Sequence, residues 1–110
     1  MADITLPEPV ASFVDAVNRH DEAAFLDFFT PEGVVDDWGR TFTGREQIKA
    51  WSDKEFIGSH GTLTVEEVAT EAPDAVTVTG DWRSQHANGR SAFTFTVDGD
   101  KLTSMTIREG

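Results

Sequence analysis

Few side chains in this sequence could move a proton, and Asp37 stands first among them. It closes the run Gly33-Val34-Val35-Asp36-Asp37, which reads as a short strand, and Trp38-Gly39-Arg40 follows. A carboxylate among aromatic rings holds its proton more tightly than one in water and can act as a base on weakly acidic carbon. Two roles are open to Asp37: general base, or strand-end residue accepting from the amides of the Trp38-Gly39 turn. Asp36 points to the opposite face of a regular strand and reads as solvated.

His86 is in phase with Ser84 and Trp82. That phase makes it either a rim imidazole exchanging a proton near neutral pH or an exposed residue beside a hairpin turn. His60, within Ser59-His60-Gly61, is a loop residue or a cavity-facing one. His20 ends the first helix, where the dipole favours a cation. Glu55 interrupts the stripe Ile48, Trp51 and Phe56, so it lines a polar pocket or marks a frayed helix end. Arg40 fits an anionic ligand or a solvated turn. Trp38, Trp51 and Trp82 would enclose a planar apolar ligand, or pack a small core equally well. The histidines lack the paired spacing of metal sites, and there is no phosphate loop, dinucleotide fingerprint or G-x-S-x-G elbow. Neither a metal nor a cofactor is expected.

The chain must position these groups within 110 residues, enough for one domain, 1–110, and no second. With no cysteine, disulfides, thiolate metal sites and a cysteine nucleophile are excluded. A net charge of -11 opposes phosphate backbones and anionic membranes, so neither nucleic acid nor lipid is an expected partner. Met1-Ala2-Asp3-Ile4-Thr5-Leu6 lacks the form of a secretory signal, and no apolar run approaches a membrane span. The expectation is a soluble cytoplasmic protein.

Val10, Phe13, Val14 and Val17 recur at the helical interval after Pro7-Glu8-Pro9. Asp21 reads as the cap of a second helix, Glu22 to Phe29, and Thr30-Pro31-Glu32-Gly33 as a turn. Thr43-Gly44-Arg45-Glu46 has the capping-box pattern and opens a third helix, from about Arg45 to about Ile57. From Thr62 onward the period is two. Leu63 and Val65 open a strand whose phase shifts near Glu66-Glu67-Val68, which predicts a bulge. Two further strands carry Val76, Val78, Gly80 and Trp82, then Phe93, Phe95 and Val97. Asn88-Gly89 signals a type I′ hairpin between them. That turn pairs Ala87 with Arg90, Trp82 with Phe95 and Gly80 with Val97, whereas a one-residue slip sets Trp82 against threonine. Asp98-Gly99-Asp100 then turns into a last strand, Lys101 to Arg108. Helices followed by a run of strands mean α+β.

Several of these stretches, in this order, resemble one family. They are Val17-Asn18-Arg19-His20-Asp21, then Phe28-Phe29-Thr30-Pro31-Glu32-Gly33-Val34-Val35-Asp36-Asp37, then Gly44-Arg45-Glu46-Gln47-Ile48, and the closing Gly99 to Met105. Together the chain resembles the nuclear transport factor 2-like superfamily, in its SnoaL-like polyketide cyclase and ketosteroid isomerase branches. The resemblance implies a cone, a curved antiparallel sheet wrapped around three N-terminal helices, with an apolar pocket at the wide end. It also implies a homodimer through the outer sheet face, where Thr77, Thr79, Thr94 and Thr96 would lie. In ketosteroid isomerases the base is an aspartate ending the first strand, the position of Asp37. Their oxyanion hole uses a tyrosine and a protonated aspartate; Phe13 and Phe93 fall at those positions here, and the chain has no tyrosine. Losing one such donor typically costs ~10²–10³ in rate, which argues against steroid isomerisation by that route.

The expectation is therefore a cofactor-independent isomerase, cyclase or dehydratase acting on a small apolar carbonyl compound. Asp37 is its base, His86 or His60 the electrophilic hydrogen-bond donor, and Phe13, Trp38, Trp51, Trp82, Phe93 and Glu55 surround the ligand. The alternatives are a non-catalytic binding or interaction module, and a dimer whose cone is filled by its own aromatic rings.

Overall fold

The computed structural model describes residues 6–110; Met1 to Thr5, most of the stretch read above for a secretory signal, lie outside the described residues. The elements are α1 (Val10–Asn18), α2 (Glu22–Asp27), β1 (Phe29–Asp37), β2 (Arg40–Thr43), α3 (Arg45–Glu55) and a 3₁₀ turn (Ile57–Ser59). Then come β3 (Thr62–Ala72), β4 (Ala75–Arg83), β5 (Asn88–Asp98) and β6 (Lys101–Glu109). The strands form one sheet in the order β2-β1-β6-β5-β4-β3, so the architecture is α+β with a curved six-stranded sheet packed against helices. One expectation fails here. The β1·β6 pairing is parallel, and only the other pairings are antiparallel.

The predicted stripe of α1 is buried, and Phe13 lies at its centre, with ring centroids 5.4 Å from both Phe25 and Phe95. The end of this helix is fastened to β3. The Asn18 amide donates to the Leu63 carbonyl (3.0 Å) and accepts from the Leu63 N–H (2.7 Å), standing in for one rung of a strand ladder. His20, in the left-handed conformation, places Nε2 2.9 Å from the Gly61 carbonyl.

Asp21 caps α2 as expected, accepting from the Ala24 N–H. That helix stops at Asp27, however, and Phe29 begins β1. Thr30 to Gly33, expected as a separate turn, belong to β1, where the pairing with β6 shifts register between Phe29 and Val34. Thr43 does not cap α3. Gly44 is the cap residue, while Thr43 ends the short β2 and gives its N–H to the Gln47 side chain. The helix closes at Glu55, two residues short of the expected Ile57, where the 3₁₀ turn begins.

The bulge expected near Glu66 is present, between Val65 and Glu67, opposite Gly80. There a Cβ on Gly80 would stand 2.2 Å from the Thr64 carbonyl oxygen, a backbone atom that cannot swing aside. Gly80→Ala should therefore destabilise the fold by roughly 1–3 kcal/mol, the usual cost of overpacking, read from the urea midpoint. An unchanged midpoint would mean that the bulge accommodates a methyl group.

The β4–β5 hairpin departs from the predicted register. Trp82 pairs with Gly89, Gly80 with Ser91 and Val76 with Phe95. The connection is Ser84 to Ala87, and Asn88-Gly89 lies in β5. Ser84 accounts for this: its hydroxyl accepts from the His86 and Ala87 amides, while its own N–H donates to the Asn88 side chain. A turn built on side-chain oxygens replaces the one built on positive φ. The displacement is an even number of residues, so Trp82, Phe93 and Phe95 still face inward and are buried.

Candidate functional site

A cavity of about 160 Å³ opens between the end of β1, the end of α3 and the β4–β5 loop. Its apolar wall comes from Trp51, Phe56, Trp82, Phe93 and Ile107; Asp37, Arg40, Glu55 and His86 form its polar side. Trp38 stands at the edge and is 59% exposed, so it borders the opening more than it encloses anything.

Asp37 reaches this wall because β1 alternates. Val35 points into the core, fully buried, and Asp37 follows it on the same face. Its Oδ2 accepts from Trp51 Nε1 (3.1 Å) and from the Arg40 guanidinium (2.5 Å). No donor among the described residues reaches Oδ1. The turn role considered for Asp37 is taken by Asp36, which accepts from the Gly39 N–H (2.8 Å). Nor is Asp36 merely solvated, since Arg108 donates to both its oxygens. The Arg108 guanidinium, helped by the Gly39 amide, holds the Asp36 carboxyl below its ordinary range.

Arg40, left open between anion binder and turn residue, joins the two carboxylates of the site. One amino group bonds Asp37 and also Glu55 Oε1 (2.7 Å), and the other bonds Glu55 Oε2 (3.1 Å). Those contacts raise the guanidinium pKa and lower that of Glu55, against the effect of Glu55's own partial burial. Glu55 is thus a fixed part of the cavity and not a frayed helix end. Its Oε1 also lies 3.0 Å from His86 Nε2. His86 is held there by its loop, because the Gln85 N–H donates to the Ser59 carbonyl and ties the hairpin to the 3₁₀ turn. The result is a chain of contacts, Asp37–Arg40–Glu55–His86, along one side of the opening.

Two expected site residues are elsewhere. Phe13 is enclosed by other phenylalanines, which separate it from the cavity. His60 is exposed and packs edge-on against His20, with centroids 5.3 Å apart, because the first helix end and the β3 start meet there. The bridging role of Arg40, and Phe56, Ser91 and Ile107 as cavity residues, are what sequence reasoning did not foresee. The Asp37/Arg40 spacing of three residues across a tight turn was the available signal for the bridge. Among the described residues, no cluster of three His, Cys, Asp or Glu side chains could hold a metal, and no helix is long and apolar enough to cross a membrane.

The lowered pKa values of Asp36 and Glu55 carry a sign for stability. A carboxyl that ionises more readily folded than unfolded adds stability that is complete above the ordinary range near ~4 and lost as pH falls through its lowered folded value. The urea midpoint should hold from neutral pH to about pH 5 and fall steeply below it. Arg40→Gln should flatten that fall by removing the principal partner of Glu55. An acid limb identical in the variant would show that this pair contributes nothing.

The comparisons with known proteins agree with this architecture. A family model described as SnoaL-like domain matches residues 10–105. No curated protein matches significantly. Among solved structures, the Mycobacterium tuberculosis protein RV0760c in complex with estradiol-17β-hemisuccinate superposes with a TM-score of 0.81 at 20% identity, covering 92% of this chain and 90% of that one. A Catenulispora acidiphila protein with a ketosteroid isomerase-like fold, in complex with trimethylamine, gives 0.77 at 25% identity, covering 96% and 88%. The epoxide hydrolase/cyclase-like enzyme SalBIII, of pyran ring formation in salinomycin, gives 0.81 at 18%, covering 92% and 87%.

Proposed function

Because the chain belongs to the SnoaL-like domain family, we propose that it is a cofactor-independent proton-transfer enzyme for a small carbonyl compound, of the isomerase, cyclase or dehydratase type. The observation that carries this reading is the Asp37 carboxylate at the cavity wall, one oxygen fixed by Trp51 and Arg40 and the other without a donor among the described residues. Oδ1 takes a proton from carbon next to the carbonyl, and the C–H electron pair moves into the carbonyl to give an enolate. In a β,γ-unsaturated carbonyl compound, returning the proton to the γ-carbon isomerises it; in a β-hydroxy carbonyl compound, the hydroxyl takes the proton from Asp37 and leaves as water, which dehydrates it. Since the resemblance puts phenylalanines, Phe13 and Phe93, where ketosteroid isomerases have their donors, Arg40 and His86 are the cavity groups left to offset the enolate charge. The contact of His86 Nε2 with Glu55 orients the imidazole at the cavity edge.

The cavity volume limits the ligand. About 160 Å³ is close to the ~150 Å³ engineered cavity that admits benzene, which suggests a single ring or a chain of similar bulk. The organic ligands bound by RV0760c and the Catenulispora protein support a small-molecule occupant here.

The test is hydrogen exchange at the α-carbon of cyclohexanone in D₂O, followed by proton NMR. The protein should accelerate it above the buffer rate at equal pH. One observation favours a second reading, a ligand carrier without chemistry: Asp37 Oδ2 is already engaged by both Arg40 and Trp51. Binding of cyclohexanone with no acceleration would select that reading. The same proposal includes a homodimer through the outer sheet face, where the Thr77 and Thr94 hydroxyls lie 3.0 Å apart. Sedimentation equilibrium giving a monomer would remove that part alone.

A further inference from the structure

Phe56 sits between two tryptophans as a bound aromatic molecule would. Its ring centroid is 4.7 Å from that of Trp82 with planes 7° apart, and 4.9 Å from that of Trp51 with planes 21° apart. Phe42 extends the column beyond Trp51 at 5.8 Å. Near-parallel rings at such distances are stacked, and two indoles with one ring between them define a slot for a flat conjugated system. The ring that fills it is mounted differently from its neighbours. Trp51 is held inside α3 and Trp82 inside β4, whereas Phe56 follows the last residue of α3 and precedes the 3₁₀ turn. Trp51, Phe56 and Trp82 all border the cavity.

We propose that Phe56 is the specificity-determining residue of this site: it is a built-in occupant of a planar-ring subsite, and it restricts the cavity to ligands of one ring. A fused two-ring compound needs both the open space beside Asp37 and the slot that Phe56 fills. The wild-type protein therefore excludes flat bicyclic carbonyl or phenolic compounds, and removing the Phe56 ring admits them between Trp51 and Trp82. The inference rests on the reading of the cavity as a small-molecule site but not on catalysis there.

The experiment compares wild type, Phe56→Ala, Phe56→Leu and Phe95→Ala by calorimetric titration with phenol and with 2-naphthol, after circular dichroism has shown which variants fold. Phe95→Ala is the control, since it opens a void of the same size in the core without touching the tryptophan pair. Phe56→Ala should bind 2-naphthol at least about tenfold more tightly than wild type, a difference of about 1.4 kcal/mol. Phenol affinity should change much less, and Phe95→Ala should show no gain for 2-naphthol. If Phe56→Ala fails to fold, Phe56→Leu keeps apolar bulk without the flat ring and should show a smaller gain in the same direction. Equal 2-naphthol affinity in wild type and the folded Phe56 variant overturns the inference, as does an equal gain in Phe95→Ala. Failure of cyclohexanone exchange in wild type would count against catalysis and leave this result standing or falling by itself.

Discussion

Replacing Asp37 by asparagine should lower the protein's rate of α-proton exchange on cyclohexanone by ~10²–10⁴, the usual contribution of a positioned general base. The substitution is nearly isosteric, and the amide oxygen still accepts from Trp51 Nε1. Arg40 keeps both of its bonds to Glu55, so the cavity side chains stay in place. The fold should therefore survive, and cyclohexanone binding should change by no more than a few-fold while turnover collapses. Glu55→Gln separates the two carboxylates. It removes one of the two carboxylates paired with Arg40, the one that also touches His86, but not the proposed base, and should reduce exchange less than Asp37→Asn does. An exchange rate in Asp37→Asn equal to wild type would end the proposed mechanism.

The second large effect is on stability. Trp82→Ala should destabilise the domain by ~3–5 kcal/mol, as truncation of a buried large aromatic does. The indole is 6% exposed, stacks on Phe56, and closes against Gly61, where a Cβ would stand 2.1 Å from the ring. Removing it leaves the Phe56 ring with one face bare and the start of β3 without its neighbour. Trp38→Ala is the contrast: that ring is the exposed large hydrophobic of the described residues, and its loss should stay within ~0.5 kcal/mol. The urea midpoints of the two variants, set against wild type, measure this difference. Comparable losses would mean that Trp82 is less integral to the core than its stacking implies.

Periodicity made most of the architecture readable, because it reports which face of an element is wet. The stripe of α1, the alternation of β4 and β5 and the Asp21 cap all appear as predicted. Periodicity is blind to even displacements, and that is how the hairpin was misplaced. Moving β5 by an even step returns every side chain to its predicted face, so agreement of the apolar faces tested parity alone. Ser84 decided between otherwise equivalent registers. The strand β2 went unread for a different reason: Arg40-Thr41-Phe42-Thr43 is short and mostly exposed, with no alternation long enough to detect. Asp37 and Trp82 were legible as cavity residues, while the Arg40 bridge was not, because it depends on β1 and α3 meeting across the sheet edge. His60 stayed open between loop and cavity, and proves to be loop, because a stretch between Gly58 and Gly61 gives no phase by which to aim a side chain.

The parallel union of the first strand with the last has a consequence for synthesis. Until β6 has been made, β1 lacks its parallel partner, and the wall bearing Asp37 cannot be completed. Contacts so distant along the chain slow folding in general. Here they also mean that a chain still lacking β6 leaves the apolar side of its own site uncovered, because Ile107 comes from that strand.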